Sequence, residues 1–206
     1  MSNGNKKELR YNTELRATTS AAKGKKLSGY AAIFNSETTI DGFREVLRPG
    51  CFDRCLAGNP DVRCLSNHDQ SVVLGRTRSN TLVLRTDSKG LIYEVMLPKT
   101  QAAADLWESV KRGDVDASSF GFTVADENWQ PAANGQLPLR ELTDVDVFDV
   151  SPCIFPAYGA TSVSARSAQL FPEGLPDGVA IRKAAPESSD ADERERMKFF
   201  LKFANL

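Results

Sequence analysis

The feature that most constrains the fold is a series of short apolar or alternating segments separated by turn residues. From Leu27 onward they read LSGYAAIF, FREVL, VRCLS, SVVLG, TLVLRT and LIYEVML. Each segment has the length of a strand and is rich in residues that favour strands. The last two are separated only by a few polar residues around Ser88 and Lys89, which predicts an antiparallel hairpin. Further strands are predicted around residues 119–124 and 139–150.

Two helices are predicted among these strands. In TQAAADLWESVKRG, four apolar residues recur at the spacing of a buried helical face: Ala103, Leu106, Trp107 and Val110. Thr100 can cap the start of this helix and Gly113 its end. A shorter helix is predicted over CFDRCLAG, at residues 51–58. The whole pattern predicts an α+β fold, mainly an antiparallel barrel or sandwich with a few surrounding helices.

Composition shifts divide the 206 residues into four parts. Residues 1–25 are polar and predict a flexible arm with at most one strand, whereas residues 26–167 hold the strand pattern and predict one main domain. Residues 168–190 are rich in Pro, Gly and charge, as linkers are. Residues 191–206 predict an amphipathic helix. At 41% hydrophobic residues the chain can bury one sizeable core.

The charge balance gives no bulk reason to expect nucleic acid or an anionic membrane as a partner, since 26 basic and 27 acidic residues nearly cancel. No apolar run approaches the roughly 20 residues that cross a bilayer, and the start MSNGNKKELR lacks the apolar stretch of a secretory signal. We therefore expect a soluble protein made in a cytoplasm, with reduced cysteines and no cofactor.

Two segments carry residues for nucleophilic catalysis. His68 is the only histidine, so any mechanism that needs an imidazole near neutral pH must use it. It lies between two apolar runs, at a predicted strand end or loop. In GDVDASSFGFTV, Ser118 and Ser119 follow the longer helix, and small neighbours leave room for a substrate. Taken singly, the histidine also fits a surface position and the serines fit a turn.

A third segment supplies carboxylates. A serine–histidine pair generally needs a further group that orients the imidazole, and with one histidine present that group is most simply a carboxylate. Within LTDVDVFDVSP, strand alternation predicts Val145, Val147 and Asp149 on one face and Asp144 and Asp146 on the other. Asp149 would then lie at the end of an apolar face, where a buried carboxylate needs a partner.

Four segments occur in an order that resembles a known family. The segments are FREVLRPGCF, VRCLSNHDQSVVLGRT, SSFGF and DVFDVSPCIFPAY, and the resemblance that they carry spans roughly residues 27–164, most of the chain. They resemble the prohead maturation protease family of tailed phages, which is similar in fold to the herpesvirus assemblins. The resemblance therefore implies an assemblin-like β-barrel with serine protease activity.

The resemblance also implies roles for single residues. The family's nucleophile falls on Ser119, its histidine on His68 and its acidic residue on Asp149. This sequence departs from the family in two places, because the acidic position is often Glu and because Ser118 adds a second hydroxyl beside the nucleophile. The herpesvirus relatives use a second histidine as third member, which this chain lacks.

The implied activity is that of a serine endopeptidase acting in the host cytoplasm, inside the assembling prohead. Expected partners are the major capsid protein or its scaffold segment, a separate scaffold protein, and the chain itself through self-cleavage or self-association. Neither nucleic acid nor a membrane is an expected partner.

Two alternatives to the protease stay open. One is a capsid scaffold or assembly factor that keeps the fold without the chemistry. The other is a structural zinc module, since four residues form the pattern C-x3-C-x8-C-x3-H: Cys51, Cys55, Cys64 and His68. Against zinc, no C-x2-C pair is present, and the single histidine cannot be both ligand and base.

Overall fold

The computed structural model of the chain describes residues 8–12, 14–20, 24–40, 42–133 and 135–154. The predicted linker and C-terminal helix lie outside these residues, and the boundaries of the four predicted parts stay a prediction. The described part contains eleven strands, two α-helices and one 3₁₀ turn.

The strands are short in the first half of the chain and longer in the second. In chain order they are β1 (Glu8–Asn12), β2 (Glu14–Ser20), β3 (Gly24–Ile33), β4 (Thr38–Ile40), β5 (Phe43–Leu47), β6 (Arg63–Ser66), β7 (Asp69–Arg76), β8 (Leu82–Thr86), β9 (Gly90–Met96), β10 (Ala117–Gln130) and β11 (Leu139–Cys153). The helices are α1 (Asp53–Ala57) and α2 (Gln101–Arg112), and the 3₁₀ turn covers Thr77–Ser79.

These strands form two open sheets. In the larger sheet the order is β1-β10-β11-β5-β4, with β6 paired to β11 and β7 paired to β6; the smaller sheet has the order β2-β3-β9-β8. The mixed fold of mostly strands with few helices is confirmed, but the prediction of a closed barrel is wrong for the described residues. A barrel closes only when the two edge strands of a sheet pair with each other. Here β11 pairs in parallel with β5 along one part of its length and with β6 along another, so the larger sheet branches and stays open.

The predicted hairpin and the longer helix are confirmed. Strands β8 and β9 pair antiparallel, and the Asp87 carboxylate accepts hydrogen bonds from the Lys89 and Gly90 amides at 2.7 and 3.0 Å, which fixes the turn. Helix α2 begins where the Thr100 hydroxyl accepts the Ala103 amide at 3.4 Å. It ends before Gly113, whose φ of 82° is the left-handed conformation that glycine tolerates best.

Two local predictions differ from the structure. The shorter helix α1 begins at Asp53 and not at residue 51, although Cys51 and Cys55 are both buried as its pattern predicts. Within residues 1–25, where we expected a loose arm, β1 pairs with β10 and β2 pairs with β3. Polar composition concealed these strands because both lie at sheet edges, where one side of each strand has no partner.

An aromatic cluster fixes the position of β10. Phe120 packs on Phe52 and on Phe122, with ring centroids 5.8 and 4.9 Å apart, and Phe52 also contacts Phe34 at 5.9 Å. All four rings are buried. Since full burial of one such ring is worth about 1.5–3 kcal/mol, this cluster holds the start of β10 firmly against the core.

Candidate active site

Strands β10 and β11 present two different faces because of a bulge. Phe122 lies opposite Val147, whereas Gly121 lies opposite Asp149, so Phe148 is an extra residue on β11. Phe122 and Val147 belong to the hydrophobic core. The bulge therefore turns Asp149 away from the core and onto the face of Gly121.

The same face carries Ser119. It lies opposite Ser151, two residues beyond the Gly121–Asp149 pair. Our expectation that Asp149 shares the apolar face of Val145 and Val147 is thus wrong, because strict alternation does not survive the extra residue. Asp149 is nevertheless 6% exposed, covered by the segment that carries His68.

His68 lies in the turn between β6 and β7, at the strand end that the sequence predicts. Asn67 and His68 have φ values of 56° and 59°, the two consecutive left-handed residues that a type I′ hairpin requires. The end of β11 supports this turn. The Asn67 amide donates to the Pro152 carbonyl at 3.0 Å, and the Asn67 side-chain oxygen accepts the Ile154 amide at 3.1 Å.

The three residues predicted for catalysis are adjacent. His68 Nδ1 lies 2.6 Å from Asp149 Oδ1, and His68 Nε2 lies 2.7 Å from Ser119 Oγ. A carboxylate can only accept, so the bond to Asp149 places a proton on Nδ1. In the neutral ring Nε2 then has a free lone pair, which is directed at the serine hydroxyl. The arrangement can transfer the hydroxyl proton to the imidazole.

Ser151 is a fourth polar residue of this cluster, and the sequence analysis missed it. It is fully buried, and its hydroxyl lies 3.3 Å from the His68 amide, from His68 Nδ1 and from Asp149 Oδ1. It can accept the amide proton while donating to the carboxylate. Its position two residues after Asp149 on one strand is a signal that could have revealed it.

Gly121 makes the cluster sterically possible, whereas the sequence pattern predicted only that this small residue leaves room for a substrate. A Cβ at this position would lie 2.6 Å from Asp149 Oδ2 and 2.5 Å from the Phe148 ring. Any side chain would displace the bulge and the carboxylate. The glycine of SSFGF is therefore required by a close approach between neighbouring strands. The sequence alone shows a small residue after an aromatic one and does not indicate this approach.

Ser118 lies on the other face of β10. It is fully buried, and its hydroxyl lies 2.8 Å from the Tyr93 hydroxyl. Burial raises the pKa of Tyr93, so both groups stay neutral hydrogen-bonding partners in the core. Only Ser119 of the two adjacent serines reaches the imidazole.

The cysteines do not converge on His68 as zinc ligands would. Both ring nitrogens of His68 are engaged by Asp149 and Ser119. Burial raises the pKa of the Cys51 and Cys153 thiols to about 12, which disfavours the thiolate that binds a metal. Over the described ranges, we find no group of three His, Cys, Asp or Glu side chains placed to hold a metal ion. All four cysteines, each within the described part, are free.

One further contact to the site comes from β1. The Ser119 hydroxyl donates to the backbone carbonyl of Arg10 at 2.6 Å. A main-chain contact from a segment 109 residues away has no sequence signal. A cleft beside β1, lined in part by Glu45 and Phe120, lies on the core-facing side of β10 and does not open onto Ser119.

Comparisons with known proteins find a matching family and two similar proteins. Residues 11–173 match the family model described as caudovirus prohead serine protease. The prohead protease of Enterobacteria phage HK97 is 30% identical over 158 residues, which cover 74% of this chain and 64% of that relative. The solved capsid assembly protease of bacteriophage T4 aligns with a TM-score of 0.43 at 7% identity, over 74% of this chain and 99% of that one. No helix in the described part is long and apolar enough to cross a membrane.

Proposed function

Since this chain belongs to the caudovirus prohead serine protease family, we propose that it is an endopeptidase of prohead maturation whose nucleophile is Ser119. The observation that carries the proposal is the pair of short contacts at His68, 2.6 Å to Asp149 and 2.7 Å to Ser119. Family membership supports the reaction class, and this geometry supports the choice of residues.

In the proposed mechanism the proton moves along one path. Ser119 Oγ attacks the scissile carbonyl carbon while its proton passes to His68 Nε2, and Asp149 stabilises the resulting imidazolium through Nδ1–H. The imidazolium then protonates the leaving amine as the C–N bond breaks, which leaves an acyl-enzyme ester on Ser119. Water, deprotonated by His68, hydrolyses that ester and restores the hydroxyl.

The proposed substrates are proteins of the assembling head. The HK97 relative is named a prohead protease, and the match spans 64% of its length. By that likeness we infer that this chain cleaves a scaffold segment of the major capsid protein or a separate scaffold protein, and itself. Action inside the prohead, in the host cytoplasm, follows from the same proposal.

The two alternatives account for less of the geometry. A zinc module would need the imidazole that lies between Asp149 and Ser119, and the buried Cys51 thiol has a raised pKa. A scaffold without chemistry would not need a carboxylate, an imidazole and a hydroxyl in hydrogen-bond sequence. Neither alternative explains why β11 carries a bulge where Asp149 meets Gly121.

The test is co-expression of this chain with the major capsid protein of its phage, followed by intact-mass measurement of both proteins. We expect the capsid protein to lose an N-terminal segment with the unaltered chain and to stay whole with Ser119→Ala. Addition of a serine-reactive phosphonate should also block cleavage. Cleavage that persists in Ser119→Ala would contradict the proposal. So would the absence of any cut in the capsid protein, in a co-expressed scaffold protein and in the chain itself.

A further inference from the structure

The face of the larger sheet that carries Ser119 and Asp149 also carries arginines. Strand β6 pairs in parallel with β11, and the pairing sets Arg63 beside Asp149 and Cys64 beside Val150. Cys64 and Val150 both belong to the hydrophobic core. Because successive residues of a strand face opposite sides, Arg63 lies on the face away from the core, where Asp149 and Ser119 lie.

The arginines continue into β7 and the turn that follows it. Arg76 lies opposite Arg63 in the antiparallel β6–β7 pair, so it lies on the same face of the sheet. Arg78, in the 3₁₀ turn, approaches the same carboxylate as these two residues, that of Asp61. Three guanidinium groups thus surround the Asp61 carboxylate on the face of the candidate nucleophile.

Arg76 is the arginine that pairs with this carboxylate most closely. Its Nε and Nη2 donate to the two Asp61 oxygens at 2.6 and 2.5 Å, in bidentate geometry. This hydrogen bonding lowers the pKa of Asp61 to about 2, so the carboxylate stays ionised. Arg63 reaches it at 3.3 Å, and Arg78 at 4.0 Å, which is too long for a hydrogen bond. Around this one carboxylate, two positive charges are therefore in excess.

The two loosely held arginines are accessible to a ligand from solvent. The side chains of Arg63 and Arg78 are 43% and 70% exposed. In the described part no hydrogen bond joins Arg63 to the neighbouring Asp149 carboxylate, which is engaged by His68 at 2.6 Å. The donors of both guanidinium groups can therefore turn to an incoming carboxylate without breaking a short hydrogen bond.

The position of Arg63 relates it to one side of the scissile bond. In the proposed mechanism His68 protonates the leaving amine, so the part of the substrate that follows the scissile bond lies on the His68 side of Ser119. The line of hydrogen bonds that starts at Ser119 ends at Asp149, and Arg63 lies beside Asp149 on the next strand. Two strand spacings of about 4.8 Å and two residues of about 3.4 Å along β10 place the Cα atoms of Ser119 and Arg63 about 12 Å apart.

We propose that Arg63 and Arg78 determine substrate specificity: they bind an acidic side chain that follows the scissile bond of the substrate polypeptide by about three or four residues, the number that spans this distance in an extended chain. Guanidinium groups suit this ligand because they donate hydrogen bonds to a carboxylate in pairs. The inference rests on the proposed function, because it assumes that Ser119 is the nucleophile and His68 the acid that protonates the leaving amine.

The first test uses the full-length chain and a library of chymotryptic peptides from a bacterial proteome, in which the new ends are sequenced by mass spectrometry. We expect Asp and Glu to be enriched about three or four residues after the cut. In Arg63→Gln/Arg78→Gln this enrichment should disappear, whereas Arg63→Glu/Arg78→Glu should select Lys and Arg at the same place. The matched control is Arg85→Gln/Arg112→Gln, which removes two cations that are 54% and 67% exposed elsewhere and should keep the acidic preference.

The second test measures the size of the effect on one synthetic peptide from the cleaved set. Replacing its acidic residue by the matching amide should lower kcat/KM about tenfold for the unaltered chain and leave it unchanged for Arg63→Gln/Arg78→Gln. A merely structural role of the two arginines would lower kcat/KM equally for both peptides. The preference of the unaltered chain should also weaken at about 1 M salt, where charges are screened within about 3 Å. Thermal melts verify that the variants are folded, and if they are not, the salt dependence decides.

The outcomes separate this inference from the proposed function. Cleavage without an acidic preference at this spacing, or with one that Arg63→Gln/Arg78→Gln retains, would overturn the inference and leave Ser119 a nucleophile. So would a chain that a fluorophosphonate labels at Ser119 but that cuts no peptide of the library. No cleavage and no labelling of the unaltered chain would overturn both.

Discussion

The two faces of the β10–β11 pair differ in the hydrogen bonds that their polar groups form. On the core face, the Ser118 hydroxyl meets the Tyr93 hydroxyl at 2.8 Å among packed aromatic rings. On the other face, Ser119 lies between two acceptors, His68 Nε2 and the Arg10 carbonyl, and has one proton for both. Two adjacent serines therefore have opposite characters. The first is satisfied and stabilises the fold, and the second is left able to give up its proton.

One extra residue in β11 separates the core from the site. Asp149 would lie among the core valines if alternation ran unbroken, and the bulge at Phe148 moves it to the face of Ser119. Gly121 provides the space for the moved carboxylate.

The largest effect is expected for Ser119→Ala. This change removes the attacking oxygen and should reduce turnover by about 10⁴ to 10⁶-fold, with little change in melting temperature. Ser118→Ala should behave in the reverse way, because it leaves the buried Tyr93 hydroxyl without its partner and costs about 1–3 kcal/mol of stability while turnover persists. Peptide cleavage rates and thermal melts of both variants test the contrast. Equal loss of turnover in both would mean that the two faces are not functionally distinct.

The next effect is expected for Asp149→Asn, which removes the acceptor that keeps a proton on His68 Nδ1. Turnover should fall by about 10³ to 10⁴-fold while the fold persists. Asp146→Asn is the control on the same strand, since Asp146 forms only an exposed pair with Arg54 at 2.8 Å. Steady-state kinetics of purified variants provide the comparison. A greater loss in Asp146→Asn at equal stability would reverse the assignment of the two carboxylates.

A smaller effect is expected for Gly121→Ala. The new methyl group would lie 2.6 Å from Asp149 Oδ2 and must push the carboxylate away from the imidazole. A displacement of this size near a reacting group costs about 10²-fold in turnover. Gly58→Ala is the matched control, because there the nearest atom to the new Cβ is 3.4 Å away and φ is −76°. Unchanged turnover in Gly121→Ala would show that the bulge does not position Asp149.

The smallest effect is expected for Ser151→Ala. Its bonds to the His68 amide and to Asp149 are long, at 3.3 Å each, so their loss should cost about 1 kcal/mol and reduce turnover by less than about tenfold. The loss should appear in the maximal rate and not in substrate affinity, because Ser151 contacts the base and its carboxylate. A loss as large as that of Asp149→Asn would make Ser151 a full member of the site.

The sequence predicted which residues lie together at the candidate site better than it predicted their surroundings. His68 was identified because it is the only histidine, and Ser119 and Asp149 because they occur in segments that resemble a family. The prediction that Asp149 shares the apolar face of Val145 and Val147 was wrong, because no residue of β11 indicates the bulge. The contact of Ser119 with β1 could not be predicted either. Its acceptor is the backbone carbonyl of Arg10, which lies 109 residues from Ser119 in the sequence.

The fold was predicted where local patterns decide it. Helix α2 and the β8–β9 hairpin follow from capping residues, periodicity and turn residues that lie within a few positions of each other. Open sheets in place of a barrel depend on which distant strands pair, and no short pattern specifies the parallel pairing of β11 with β5 and β6. Of the two edge strands β1 and β2, at most one was expected, because a polar edge strand resembles a loop in composition.

The proton path from Ser119 through His68 to Asp149 can be tested by ¹⁵N NMR of the imidazole, because His68 is the only histidine and gives one unambiguous pair of ring signals. At a pH where the ring is neutral, we predict a proton on Nδ1 and none on Nε2 in the unaltered chain and in Ser119→Ala. The Asp149→Asn variant should lose this preference, since the amide no longer requires a donor from the ring. A neutral ring protonated on Nε2 in the unaltered chain would contradict the account, because such an imidazole cannot accept the proton of Ser119.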